Sequence, residues 1–200
     1  MHLEALKAAV IITAAGSSRR MGTGGKKEFL KINNQSVLMM SIKPFIESRL
    51  FFDYVIVLPI EEMEEGSNLL SPLFEFGNFS FVPGGLTRQE SVYRGLLDLK
   101  KKTPNIVLIH DGARPWITET VIREVYQKTV QTGAAIPVVP SVNAMKTINS
   151  QGTIISNLKR EFTVAAQTPQ GFLFDKILTS HETASSDGLE YIDDAEIYSK

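Results

Sequence analysis

The chain contains no cysteine. That single absence removes thiol nucleophiles, zinc–thiolate clusters and disulfide frameworks together. It also permits a reducing compartment, with the cytoplasm as the default expectation. No apolar run approaches the roughly 18 residues of a membrane span, and the start of the chain, Met1 to Lys7, lacks the basic-then-apolar layout of a signal peptide. No membrane partner is expected. Charge of one sign is not in excess either: 21 Lys and Arg face 22 Asp and Glu, which leaves no global field for nucleic acid or anionic lipid. Any polyanion must be met locally. His2, His110 and His181 show no metal-ligand spacing, and His110 reads as a satisfied core histidine at a strand end rather than a base. No repeat, low-complexity stretch or linker divides the 200 residues. They suffice for one domain that buries about 70% of its unfolded surface.

What is present is alternation. Short β-branched runs (Ala9-Val-Ile-Ile12, Tyr54-Val-Ile-Val-Leu58, Phe79-Ser-Phe-Val82, Ile106-Val-Leu-Ile109 and Ala135-Ile-Pro-Val-Val139) are separated by helical patterns, and such runs suit strands buried on both faces. Leu38, Ile42, Phe45 and Ile46 recur at helical spacing, with Pro44 expected to kink or shorten that helix. Thr87-Arg-Gln-Glu90 is a capping box, and Thr118 opens an amphipathic helix that ends at Gly133. The expectation is an α/β fold: a single Rossmann-like domain over 1–200 with a mostly parallel twisted sheet, helices on both faces, and ligands at the carboxyl ends of the strands. Over about 141–167 the helical period disappears. Ala144 to Ile148, a turn at Asn149-Ser-Gln-Gly152, and Thr153 to Ser156 read as a projecting β-hairpin arm. A lone hairpin is marginal in water, so the same arm of a second subunit is its expected partner. The last residues, Asp194 to Lys200, read as a helix without a stop signal, which leaves open whether the natural chain ends at Lys200.

Three loops carry candidate chemistry. Ala14-Ala-Gly-Ser-Ser-Arg-Arg-Met-Gly22 and Thr23-Gly-Gly-Lys-Lys27 follow the first strand, with four glycines and four cations. Bare N–H groups there can approach polyphosphate oxygens while Arg and Lys neutralise them. Neither familiar glycine fingerprint fits, because Lys27 precedes Glu28 rather than Ser or Thr; composition alone leaves a solvated surface loop open. His110-Asp-Gly-Ala-Arg-Pro115 puts Asp111 and Arg114 on the same rim. Asp111 is a candidate for holding Mg²⁺, and alternatively a turn residue. Pro83-Gly-Gly-Leu-Thr-Arg88 precedes a helix in which Ser91 can offer a hydroxyl to a base, with a plain glycine turn as the alternative.

Taken in order, Ala14 to Met21, Lys27, Gly84 to Val92, His110 to Pro115, Met145-Lys146, Thr168-Pro-Gln170 and Asp193-Asp194 resemble the 2-C-methyl-D-erythritol 4-phosphate cytidylyltransferases of the non-mevalonate isoprenoid pathway over nearly the whole chain. The resemblance implies a cytidylyltransferase that uses CTP, a small polyol phosphate, Mg²⁺ and a homodimer formed through the arm. It implies that Arg20 and Lys27 stabilise the transition state, that Ala14, Ala15, Gly16, Gly85, Ser91 and Gly112 bind the nucleotide, and that Asp111 and Arg114 face the ribose, metal and acceptor. Arg160 would reach the acceptor phosphate of the neighbouring subunit. The departures gather on the acceptor side: Asn143-Ala144 stands where the family has Asp-Thr, and Ile192 where it has Thr. Lys26 and Glu28 also depart, on the nucleotide loop, and the family's terminal segment with a further lysine would lie beyond Lys200. These departures keep two alternatives in play, a cytidylyltransferase for another polyol phosphate such as ribitol 5-phosphate and a catalytically weak nucleotide-binding relative.

Overall fold

The computed structural model describes residues 6–16 and 27–200. Strand β1 (Ala8–Thr13) is followed by a small hairpin, β2 (Lys31–Ile32) and β3 (Gln35–Ser36), and by α1 (Val37–Glu47). Next come β4 (Asp53–Leu58), α2 (Met63–Leu70), β5 (Asn78–Pro83), α3 (Arg88–Leu99), β6 (Ile106–Asp111) and α4 (Glu119–Thr132). The second half holds β7 (Ala134–Ala135), β8 (Val138–Pro140), β9 (Lys146–Ile148), β10 (Ile154–Asn157), β11 (Val164–Ala166), β12 (Gln170–Leu173), α5 (Phe174–Ser186) and α6 (Asp194–Tyr198).

The central sheet has the order β5-β4-β1-β6-β12-β7. Its first four strands run parallel, and β12 is antiparallel to both neighbours. Alternate residues of β1 explain the layering. Val10 and Ile12 pack with Leu38, Ile42 and Phe45 of α1 and with Ile122 and Val125 of α4. Ala9 and Ile11 point the other way, onto Val92, Leu96 and Leu99 of α3 and Ile177 of α5. Both sheet faces are therefore covered, which is why β1, β4 and β6 read as unbroken apolar runs.

Two expectations need correcting, and one strand went unread. The run at 135–139 is not one strand: Pro137 has no N–H for the ladder, and the chain splits there into β7, in the main sheet, and β8, which pairs with β11. Pro44 does not shorten α1, which continues to Glu47 and closes with Ser48 N–H donating to the Pro44 carbonyl at 3.0 Å. Strand β12 went unread because Gln-Gly-Phe-Leu is too short and too mixed to show a period. Within the segment 141–167 a hairpin forms as expected. Strands β9 and β10 pair antiparallel, and the Asn149 side chain accepts the N–H groups of Gln151 and Thr153 around Gly152, whose φ of 80° suits glycine.

Candidate functional site

Three strand ends meet at one rim. The Ala14 N–H, just beyond β1, donates to Val57 of β4 at 2.8 Å, and Gly112, just beyond β6, donates to Thr13 at 2.9 Å. A methyl group built on Gly112 would lie 3.0 Å from Ala14 Cβ, and one on Gly84 would lie 2.2 Å from Ala15 Cβ. Glycine at both positions is what lets the loops after β1, β5 and β6 close together. Ala14, Ala15, Gly84, Gly85 and Gly112 are thus neighbours, and Gly16 leads outward, exposed, from the same edge.

The loop between β5 and α3 is locked from within. Ser91 Oγ donates to the Thr87 carbonyl at 2.9 Å and accepts the Gly85 N–H at 3.0 Å. Thr87 caps α3 by accepting the Glu90 N–H, but Glu90 does not return the bond to Thr87 as a full capping box would. Its carboxylate accepts the Leu86 N–H at 2.8 Å and the Arg94 guanidinium at 2.5 Å, and these two bonds hold its pKa below the usual range. Arg94 also donates to the Gly84 carbonyl at 2.8 Å. The sequence reading missed Arg94. Its helical spacing from Glu90 was the available signal.

Asp111 ends β6 between two arginines. Its Oδ2 accepts Arg114 Nε at 2.8 Å, whereas its Oδ1 has only longer contacts, with Arg88 Nε at 3.3 Å and Thr13 Oγ1 at 3.4 Å. Burial alone would raise this carboxyl, but the Arg88 charge and the Arg114 hydrogen bond outweigh it and hold the pKa below the ordinary value. Arg114 reaches on to Gln167 Oε1 at 2.5 Å. Among the described residues no cluster of three or more His, Cys, Asp or Glu can hold a metal. A single carboxylate with one lightly engaged oxygen nevertheless fits Mg²⁺, which keeps its waters and binds through one or two carboxylates plus substrate phosphates.

His110 is the core residue expected. It is fully buried, with Nε2–H donating to the Arg114 carbonyl at 3.2 Å and Nδ1 accepting from Thr168 Oγ at 2.9 Å. Thr168 Oγ in turn accepts the Asp111 N–H at 3.3 Å. The neutral ring thereby fixes the backbone on both sides of Asp111. Burial drops its pKa to about 4 from the ordinary imidazole value of 6.5. The unfolded chain therefore binds the extra proton first, and the stabilisation, complete above pH 6.5, is lost as pH falls toward 4. Between pH 7 and 4.5 we expect a loss of about 2–3 kcal/mol in unfolding free energy from this group. Urea titrations should show that slope flattened in His110→Gln, and an unchanged slope would reject the assignment.

The other sequence candidates lie less centrally. Arg20 falls outside the described residues. Lys27 opens the turn at 27–29, half-buried. Its neighbour Glu28 gives its carbonyl to the Leu38 N–H at 2.8 Å, and Leu38 Cδ1 would stand 3.1 Å from a methyl on Gly112. Glu28 is buried, at 2% exposure, so at this position the solvated surface loop that composition left open does not apply. Arg160 takes no part in the Asp111 network. It sits in the 3₁₀ turn at Arg160–Phe162, at the base of the arm, lining a groove of about 740 Å³ with Lys159 and Val142. Ile192 is 90% exposed.

Known proteins resemble this chain over nearly its whole length. The family model for IspD, 2-C-methyl-D-erythritol 4-phosphate cytidylyltransferase, matches residues 8–200. A bifunctional enzyme IspD/IspF from Bradyrhizobium sp. is 39% identical over 192 residues, which are 96% of this chain and 48% of that protein. The chain therefore spans about half the length of the curated relatives it matches. Among solved structures, 4-diphosphocytidyl-2C-methyl-D-erythritol synthase from Anaerococcus prevotii superposes with a TM-score of 0.85 at 24% identity, covering 98% of this chain and 82% of that one, a likeness of fold. The 2-C-methyl-D-erythritol 4-phosphate cytidylyltransferase of Thermus thermophilus gives 0.72 at 27% identity, covering 97% and 84%. On the extent of the family match and the identity to its relatives, the chain belongs to the 2-C-methyl-D-erythritol 4-phosphate cytidylyltransferase family.

Proposed function

We propose that this chain transfers the cytidylyl group of CTP to 2-C-methyl-D-erythritol 4-phosphate, giving 4-diphosphocytidyl-2-C-methyl-D-erythritol and pyrophosphate. The observation that carries the proposal is Asp111, braced by Arg88 and Arg114 on the rim where the loops after β1, β5 and β6 close together. An acceptor phosphate oxygen bonds to the α-phosphorus of CTP in line, and the bond from that phosphorus to the oxygen bridging to the β-phosphorus breaks. No protein nucleophile is required; the protein positions two anions and neutralises charge moving onto the departing pyrophosphate. Arg20 and Lys27 take that neutralising role. The backbones of Ala14, Ala15, Gly16, Gly85 and Gly112 line the nucleotide. Ser91 Oγ, whose proton is committed to Thr87, keeps a lone pair that can accept from an exocyclic amine such as that of cytosine. Asp111 would hold Mg²⁺, which when bound supplies positive charge to the phosphates.

Arg160 serves the acceptor from a second subunit. The arm supports a homodimer, since Ile148, Ile154 and Ile155 of the hairpin and the flanking Val142 and Phe162 are all exposed, and exposed apolar clusters of this kind mark contact surfaces. No helix among the described residues is long and apolar enough to cross a membrane. Ala144 and Ile192, where the family has hydroxyl residues, favour a second reading in which the acceptor is another polyol phosphate such as ribitol 5-phosphate. Pyrophosphate release from CTP should require methylerythritol phosphate and fail with ribitol 5-phosphate; the reverse result replaces the first reading with the second. CTP binding without turnover of either would leave only a nucleotide-binding relative. In the same assay Arg160→Ala is expected to raise KM for the acceptor about tenfold or more while KM for CTP stays within about threefold.

A further inference from the structure

Behind the rim Arg88 leads into a charged pair, Asp194 and His181, to which the proposed reaction assigns no role. Arg88 is the first residue of α3, and its Nη1 donates to Asp194 Oδ2 at 2.8 Å, a shorter bond than the 3.3 Å contact of its Nε with Asp111. The Asp194 side chain is fully buried at the start of α6, and its other oxygen accepts Nε2–H of the equally buried His181 of α5 at 3.2 Å. The His181 ring lies nearly parallel to Tyr93 of α3, 6.2 Å away. Burial would raise the Asp194 carboxyl, but the His181 hydrogen bond and the Arg88 charge overcome it and keep the pKa low. A carboxylate buried this completely persists only because both oxygens are paired.

The geometry points to Asp194, held by His181, as a positioning residue: it draws the Arg88 guanidinium back so that Arg88 reaches Asp111 Oδ1 only through one long Nε contact of 3.3 Å. Arg88 has one fork and two carboxylates to serve. Without Asp194 nothing described on its other side would keep the fork from closing onto Asp111 in bidentate fashion, the geometry an Arg–carboxylate pair favours. Oδ1, which now has only long contacts, would then be held as closely as Oδ2 and be poorly able to meet a cation or a ribose. This inference rests on the role proposed for Asp111, so its test needs a readout independent of turnover.

Asp194→Asn keeps the shape and removes the charge. Tyr198→Phe is the control, since it removes the bond from α6 to the Gly133 carbonyl at 2.9 Å without touching Arg88. In NMR spectra the Arg88 Nε–H should exchange with solvent at a clearly different rate in Asp194→Asn and at the wild-type rate in Tyr198→Phe. With CTP and methylerythritol phosphate, kcat should fall about tenfold or more in Asp194→Asn, with KM for CTP within about threefold, and should be unaltered in Tyr198→Phe. His181→Gln, which can still donate to Asp194, should recover most of the wild-type kcat. Wild-type kcat in Asp194→Asn, or an equal loss in Tyr198→Phe, overturns the inference. Should the wild-type protein turn over no polyol phosphate, the proposed function fails, and the Arg88 exchange rate still decides this inference: an unchanged rate in Asp194→Asn overturns it.

Discussion

Asp111→Asn is expected to lower kcat with CTP and methylerythritol phosphate by about 10²–10³-fold, the loss typical when a preorganised electrostatic group is removed from a reaction of developing charge. The fold should survive it. Arg88 keeps Asp194 as a buried counter-charge and Arg114 keeps Gln167, so neither guanidinium is stranded, and the loss of stability should stay at about 1–3 kcal/mol. An asparagine can still accept one arginine, but its amide NH₂ faces the other, and it brings no charge for a cation. The Mg²⁺ concentration giving half-maximal rate should therefore rise along with the fall in kcat. Steady-state kinetics over a Mg²⁺ series, with thermal unfolding as the check on folding, decides the matter. A variant within about threefold of wild-type kcat would remove Asp111 from the reaction.

The parallel half of the sheet was legible because β1, β4 and β6 are buried on both faces, and two-sided burial writes an unbroken apolar run into the sequence. The edge beyond β6 was not. Strand β12 is four residues long and owes its place to pairing with Ile106 to Ile109, a long-range choice that no local pattern encodes. The division of the run at 135–139 was signalled by Pro137, whose missing N–H was weighed too lightly against the neighbouring valines.

The site divides in the same way. Asp111, Arg114, Gly85 and Ser91 could be named in advance because each follows a strand or opens a helix, and a crossover fold delivers such positions to one rim. Arg88 stood within a quoted motif, yet its role was hidden: as the first helical residue after Thr87 it looked like part of a cap, and its partner Asp194 lies 106 residues away. His181 was hidden for the same reason, since a buried histidine announces itself only through a carboxylate that the tertiary fold brings near. The grip of Thr168 on His110 and on the Asp111 N–H likewise joins residues that the sequence keeps 57 or more positions apart. Local chemistry was readable, and the couplings between loops were not.

Lys27→Ala is expected to reduce kcat by about 10²-fold while leaving CTP affinity within about threefold. The argument is one of differential binding. CTP carries its negative charge already in the ground state, and in the proposed site backbone N–H groups and a bound Mg²⁺ would share in balancing it, so one lysine should add little to affinity. As the bond to the leaving pyrophosphate breaks, charge moves toward the β-phosphate, and a cation fixed at that place gains interaction energy only then. The turn at 27–29 is suited to that demand because its backbone is tied down. Lys27 accepts the Leu30 N–H at 3.3 Å, Leu30 accepts the Val37 N–H at 2.9 Å, and Glu28 accepts the Leu38 N–H at 2.8 Å at the start of α1. A rigid backbone avoids a reorganisation penalty at the moment of reaction. Lys27→Arg, which keeps the charge on a longer planar head, should recover only part of the rate. If Lys27→Ala weakens CTP binding as much as it slows turnover, the lysine is a ground-state ligand and the charge on the leaving group must be met elsewhere.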